Sequence, residues 1–243
     1  MSWYISYGGR NIAPRYLVNN IVRPGPNRVN RMDRANGSDR ALLMGTDYEG
    51  SNISFDIWAT DLNTRHEQQA AVRDIQGIFS RRDEAPLAFS DDDGLYYMAV
   101  PTGTMQPERY LNAVKVHVEL ALADPIMYGR TCEIVVPSGG STTFKVGGSY
   151  PARPVIEASA VRNATSLVWG LRLDDGDFIH VKTGSSSART VKLDCAERTL
   201  VLNGDVALPT VDSDWLAFEP GVHELEMDNG TGAATVTFVE RWQ

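Results

Sequence analysis

Apolar and polar positions alternate most strictly over residues 113–122. Val114, Val116, Val118, Leu120 and Leu122 share one face, and Ala113, Lys115, His117, Glu119 and Ala121 share the other. A period of two held over that length predicts a half-buried strand, and Asp124-Pro125 stops it. Two shorter strands precede it, Pro86-Leu87-Ala88-Phe89 and residues 95–100, separated by the acidic turn Ser90-Asp91-Asp92-Asp93-Gly94. Further upstream Ile53, Phe55 and Ile57 alternate with Ser54 and Asp56, which predicts another strand with the apolar residues on one face and the two polar residues on the other. Trp3, Ile5 and Tyr7 give a β-like piece near the start, and residues 16–22 give a second that Pro24-Gly25-Pro26 ends.

The period changes once. Ala71, Ile75, Ile78 and Phe79 are spaced for one stripe of a helix over about 64–82. Thr64 and Glu67 form a capping box at its start, and Arg81 and Arg82 are expected in its last turn, where the helix dipole favours positive charge. Gly77 weakens it. One amphipathic helix among strands lays its stripe on a sheet.

Residues 124–140 are punctuated by Pro125, Gly129, Pro137, Gly139 and Gly140, a boundary that divides the chain into domains 1–130 and 131–243. Beyond it, candidate strands at 142–146, 154–160, 167–173, 177–182, 190–195, 199–202, 215–218, 223–228 and 234–241 are separated by turn clusters such as Asp174-Asp175-Gly176, residues 184–187 and Asn203-Gly204. Regular short strands at this spacing predict a jelly-roll β-sandwich, with Leu167, Trp169, Leu171 and Leu173 on one face. The fold class is therefore mostly β with one helix.

Residues 27–39 break both periods. They are polar, with Arg28, Arg31, Arg34 and Arg40 close together, and are expected to form a projecting loop or arm rather than a core strand. Such an arm either embraces a neighbouring subunit or lies free on the surface.

The 243 residues carry a net charge of −8, which argues against a dedicated nucleic-acid binder. No apolar run reaches the ~18–20 residues that span a membrane, and the N-terminal stretch does not read as a signal peptide. Cys132 and Cys195 are expected as unpaired, partly buried thiols. The Asn-x-Ser/Thr matches at Asn36, Asn52, Asn163 and Asn229 carry no weight without a secretory signal.

Candidate chemistry is sparse. His66, His117, His180 and His223 form no metal-ligand spacing, and there is no nucleophile elbow. Gly230-Thr231-Gly232 lies between strands without a following helix, so it is not a phosphate site. Counted as a calcium loop from Asp91, the required glutamate position holds Thr102, so that pattern fails. No catalytic, cofactor or metal residue is assigned. A carbohydrate-binding sandwich, with Trp169 or Trp215 stacking on a sugar, is the alternative to core packing of those rings, and a wall hydrolase is the third class considered.

The order of three motifs adds a family. Pro86-Leu87-Ala88-Phe89-Ser90-Asp91-Asp92, then Tyr96-Tyr97-Met98-Ala99-Val100, then Ala123-Asp124-Pro125-Ile126-Met127-Tyr128-Gly129 resemble the "P-L-x-F-x-D-D", "Y-x-A" and "D-P-x-x-Y" signatures of the distal tail proteins of long-tailed, non-contractile bacteriophages. Pro86, Leu87, Phe89, Asp91, Asp92, Tyr97, Ala99, Asp124, Pro125 and Tyr128 carry the match. Tyr150-Pro151-Ala152-Arg153-Pro154-Val155-Ile156 resembles the family's entry into its second domain, and Val191-Lys192-Leu193-Asp194-Cys195 and Asn203-Gly204 its later course. The resemblance implies a non-enzymatic virion protein without cofactors. Its N-terminal β-sandwich and helix form a hexameric ring at the distal end of the tail, and a galectin-like sandwich projects outward. It implies a tail tube protein on one side of the ring and a tail-associated baseplate hub protein on the other. Tape-measure and receptor-binding proteins are possible further neighbours, and DNA passes through the channel without specific binding. Assembly takes place in the host cytoplasm, away from any membrane. The arm with Arg28, Arg31, Arg34 and Arg40 matches the family's subunit-contact loop, although no Pro-Gly-Arg-Asp-Gly-like turn precedes Ala41.

Overall fold

The structure is a computed structural model that describes residues 4–25, 27–34, 39–161, 167–174, 176–183 and 189–243. Trp3, Pro26, Asn36, Asn163, Asp175 and the 184–187 turn cluster lie outside the described residues. The chain divides into two compact units, Met1–Tyr128 with Gln243 and Gly129–Trp242. Both are built of strands, and the one α-helix among the described residues is in the first.

In the first unit β1 (Ile5–Tyr7), β2 (Arg10–Ala13), β3 (Leu17–Val22), β4 (Asn27–Asp33), β5 (Leu42–Glu49) and β6 (Ser51–Ala59) precede helix α1 (Arg65–Ile78). After it come β7 (Ala85–Phe89), β8 (Tyr96–Thr102), β9 (Pro107–Arg109) and β10 (Val114–Leu122). Hydrogen-bonded neighbours run β2-β1-β7-β8-β10-β6-β3, each pair antiparallel, and β9 pairs the start of β10. The strict alternation of β10 is realised in full. Val114, Val116, Val118, Leu120 and Leu122 are buried opposite Ile53, Phe55 and Ile57 of β6. Burying such a side chain stabilises by about 1.5–3 kcal/mol, so this pair of strands is the centre of the core.

Asp56 departs from expectation. It lies on the polar face of β6, yet is only 6% exposed. The register explains it: Asp56 lies opposite His117, whose Nδ1 is 2.7 Å from its carboxylate, and Asn20 Nδ2 donates to the other oxygen at 2.8 Å. Burial pushes this carboxyl up, and the hydrogen bonds from Asn20 and His117, with Lys115 nearby, outweigh it and hold the acid below its usual range. Asn20 reaches Asp56 because β3 bulges there. Its φ is 51°, and the β3–β6 register slips between Asn19 and Val22. Among the described residues β3 pairs β6 alone, so it is an edge strand.

Helix α1 starts as its capping box predicts: Thr64 Oγ1 accepts from the Glu67 amide at 3.1 Å, and the Glu67 carboxylate accepts from the Thr64 amide at 3.0 Å. It ends earlier than expected, at Ile78, with Phe79 as C-cap. Phe79 turns inward to stack on Tyr7 at 5.2 Å between ring centroids, and Ser80 Oγ donates to the Gly77 carbonyl. Arg81 and Arg82 are therefore beyond the last turn, not in it. The buried stripe is Gln68, Val72, Ile75 and Ile78, with Phe79 beside it, while Ala71 is half-buried. Gln68 is accommodated because its amide donates to the Tyr110 carbonyl at 3.0 Å.

The second unit is a two-sheet sandwich. After β11 (Met127–Val136), whose first residues belong to the first unit, come β12 (Ser141–Val146), β13 (Val155–Val161), β14 (Val168–Leu173), β15 (Phe178–Lys182) and β16 (Arg189–Asp194). They are followed by β17 (Thr199–Leu202), β18 (Asp205–Ala207), β19 (Gly221–Asn229) and β20 (Ala234–Trp242). One sheet runs β18-β17-β16-β13-β20-β11 and the other β12-β19-β14-β15. Trp169, Leu171, Ile156, Leu193, Phe218, Leu225 and Val236 meet between them in one apolar cluster. Leu167, expected on the Trp169 face, lies outside β14 and is exposed. The expected strand at 215–218 contributes only an isolated bridge from Phe218 to Ala152. Cys132 and Cys195 are free thiols, the first half-buried and the second buried. Burial pushes the Cys195 thiol up to about 12.

Candidate functional site: the arm and its root

Of the expected arm, residues 27–33 form a strand rather than an irregular loop, and residues 35–38 lie outside the described residues. β4 pairs β5 over Asn27–Asp33 and Leu42–Glu49, so the arm is a β-hairpin with its own two-stranded sheet. The polar composition hid it because neither face is buried. Arg28 lies over the Tyr48 ring at 5.7 Å, Arg31 pairs with Asp47 at 2.5 Å, and Arg34 donates to the Asp39 carbonyl at 3.3 Å. Three of the four arginines thus serve the arm's own structure, and Asp33, Asp39, Asp47 and Glu49 balance their charge. Alongside its polar side chains the arm exposes four large apolar ones: Met32, Leu42, Leu43 and Met44 are each more than half exposed. Among the described residues, β4 and β5 make no extensive contact with any element but one another. A lone two-stranded hairpin is marginal in water, and four exposed large apolar side chains on one are a surface waiting to be covered.

The first motif segment lies against the root of this arm, and the residues of all three motifs have a physical reason. In Pro86-Leu87-Ala88-Phe89, the side chains of Leu87 and Phe89 fill the core and Pro86 faces out. Asp91 and Asp92 follow in the turn to β8, and both are taken by Arg23. Its Nη2 is 2.6 Å from Asp91 and its Nη1 2.8 Å from Asp92, while its guanidinium carbon lies 4.5 Å from the Phe89 ring centroid. The Arg23 hydrogen bond holds Asp91 below its usual range, whereas burial pushes Asp92 up despite the same guanidinium. In the second motif Ala99 is fully buried and its carbonyl accepts from the Tyr7 hydroxyl, and Tyr97 packs on the same core. In the third, Asp124 organises its own turn. One carboxylate oxygen accepts from the Ile126 amide at 3.3 Å around Pro125, and the other accepts from the Tyr128 hydroxyl at 2.7 Å. Tyr128 then stacks on Tyr96 of β8 at 5.8 Å, in the one register pair that joins β11 to β8.

The chemistry considered from sequence finds no assembled site. His117, His180 and His223 are each paired with a carboxylate, Asp56, Asp228 and Asp174, at 2.7–2.8 Å, and no group of three metal-ligating side chains comes together among the described residues. Trp169 is fully buried and offers no face to a sugar, and Trp215 packs partly buried against the same cluster. An open groove of about 740 Å³ between α1 and the ends of β3 and β6 is lined by Tyr16, Trp58, Leu62 and Asp74. Its polar groups are spent on each other: Tyr16 donates to Asp74, which also pairs with Arg15, and Glu67 belongs to the helix cap. Burial and that Asp74 hydrogen bond push the Tyr16 hydroxyl up to about 12. Sequence reasoning missed Arg23, whose only signal was an unpaired cation far along the chain from an unexplained acidic pair.

Comparison with known proteins bears on the whole chain. The model of the phage tail protein RIFT-related domain matches residues 13–122, and that of the siphovirus-type tail component, C-terminal domain, matches residues 147–242. The chain is 23% identical over 243 residues to the distal tail protein of Bacillus phage SPP1, covering 97% of this chain and 94% of that protein. The crystal structure of SPP1 Dit (gp 19.1), described as a paradigm of the hub adsorption apparatus in phages infecting Gram-positive bacteria, superimposes with a TM-score of 0.77 at 19% identity over all of both chains. A chain of the phage P2 baseplate in its activated conformation with Ca superimposes at 0.53, with 10% identity over 99% of this chain and 98% of that one. With two adjoining family domains accounting for most of its length, the chain belongs to the siphophage distal tail proteins, structural components of the phage tail tip and its baseplate hub.

Proposed function

We propose that six copies of this chain close into a ring at the distal end of the tail. The ring joins the tail tube to the tail-associated baseplate hub protein and leaves a channel through which DNA passes without specific binding. The observation that carries this reading is the β4–β5 hairpin, which holds Met32, Leu42, Leu43 and Met44 away from any core. A neighbouring copy of the same chain is the partner that a self-assembling ring supplies to it. The near-complete coverage of a distal tail protein in both directions supports it. The net charge of −8 suits a conduit that does not retain a passing polyanion. The role is structural rather than enzymatic, with the tape-measure and receptor-binding proteins as further neighbours in the virion. Light scattering and negative-stain imaging of the purified chain test it: sixfold rings are expected, and a folded monomer at every accessible concentration overturns the reading.

A further inference from the structure

An arm that seats on a neighbour is useful only if it leaves its own subunit in a fixed direction. β4 spans seven residues, roughly 23 Å at strand rise. A swing of about 10° at the root therefore moves the tip by about 4 Å, a full side-chain contact distance. Both legs of the arm are short. Only residues 23–26 separate β3 from β4, and only Gly50 separates β5 from β6. These two legs are where the direction is set.

The incoming leg is held by the first motif segment, and the outgoing leg passes close against the end of β10. On the incoming leg Arg23 is held from three sides: two carboxylates of one turn take its two terminal nitrogens, and the Phe89 ring lies against the guanidinium plane. A fork on two acids plus a ring beneath leaves the guanidinium no rotational freedom, and Pro24 then fixes the next backbone angle. On the outgoing leg a Cβ at Gly50 would sit 2.7 Å from the Leu122 carbonyl oxygen at the end of β10, so the chain passes there only as glycine.

We infer that Arg23 and Gly50 are a paired anchor for the arm, and that Asp91 and Asp92 serve to hold Arg23. This deepens the reading of the hairpin as a subunit contact and rests on it for its consequence. The ion pairs are partly solvated, with the Arg23 side chain 29% exposed. Pairs of that kind add little to global stability. Their value is positional: Arg23 is a positioning residue for assembly, and so is the acidic pair.

The test uses the full chain in a Cys132→Ser background, spin-labelled at Thr46→Cys on the arm and His66→Cys on the helix, both away from the exposed apolar residues, at a dilution where it is monomeric. A narrow distance distribution is expected with Arg23 intact. Arg23→Ala and the double change Asp91→Asn with Asp92→Asn are each expected to broaden it, with the circular dichroism spectrum and the main melting transition retained. Assembly should then require about tenfold more protein, the weight of one charge-assisted hydrogen bond. Arg23→Lys, a point charge without a fork, should fall between. If Arg23→Ala does not fold, the double amide variant carries the test, since it keeps the Phe89 contact. An unchanged narrow distribution in the double variant overturns the anchor, as does a broad distribution before any substitution. A narrow distribution that broadens as expected in a chain that never forms rings keeps the anchor and removes the ring.

Discussion

Two hairpins in this chain share the same antiparallel pairing and have opposite circumstances. β14–β15 places Trp169 opposite Val181 and Leu171 opposite Ile179, all four buried. β4–β5 pairs over a longer stretch, with one register slip between Arg31 and Met32, and buries none of its residues. The first hairpin is stabilised where it stands, by apolar area withdrawn from water. The second has ladder hydrogen bonds and exposed side-chain contacts such as Arg28–Tyr48, Arg31–Asp47, Asn27–Glu49 and Thr46–Asn30, which together are marginal. The difference separates a hairpin that makes the fold from one that, on the proposed reading, is left for assembly.

The comparison can be broken most decisively at Trp169. Trp169→Ala removes the largest fully buried side chain of the sandwich and should cost about 3–5 kcal/mol. Urea unfolding followed by circular dichroism reads it, and a loss below about 1 kcal/mol would mean that β14–β15 is not held by its core. The second change is made on the other hairpin. Replacing residues 28–48 with a short Gly-Ser linker should leave the melting temperature of the remaining chain nearly unchanged while abolishing ring formation in light scattering. Persistence of rings without the arm would erase the distinction between the two hairpins.

A smaller effect sharpens it. The β14–β15 turn is tied back to its own unit, because His223 Nδ1 lies 2.8 Å from Asp174 and Nε2 lies 2.7 Å from the Glu219 carbonyl. Both partners are acceptors, so the geometry is satisfied by the doubly protonated ring. Burial lowers the pKa of His223, and the Asp174 and Glu219 hydrogen bonds more than reverse this, holding it above 6.5. A raised folded value means that the contribution is complete below about pH 6.5 and is lost as pH rises through that folded value. Melting followed across that range should show a decline on the order of 1 kcal/mol, which His223→Gln should flatten. A decline of the same size in the variant would assign it to another group.

The buried hairpin was legible in the sequence and the exposed one was not, for one reason. Trp169, Leu171 and Leu173 alternate because a face of β14 is buried, whereas a strand with no buried face has no period to read, so Leu42–Glu49 passed unnoticed and Asn27–Asp33 read as loop. β10 and the start of α1 were legible because burial and capping are local patterns. The end of α1 was not, since Phe79 leaves the helix for a stack with Tyr7, a contact distant in sequence. Asp56 and Arg23 failed in the same way. Their partners His117, Asp91 and Asp92 are brought to them by strand register and by a turn, which no spacing along the chain reveals.

The bulge at Asn20 has a consequence for the chain before it meets any partner. β3 is an open edge, and open edges recruit foreign strands into growing sheets. At Asn20 the backbone enters the left-handed region and the side chain turns in to Asp56, so the run of free amides and carbonyls is kinked partway along. A strand from another molecule that began to pair at Leu17 would lose its register within a few residues. The same bulge that satisfies a buried carboxylate thereby protects a subunit carrying an uncovered apolar arm against templated aggregation, and leaves ordered association as the open route.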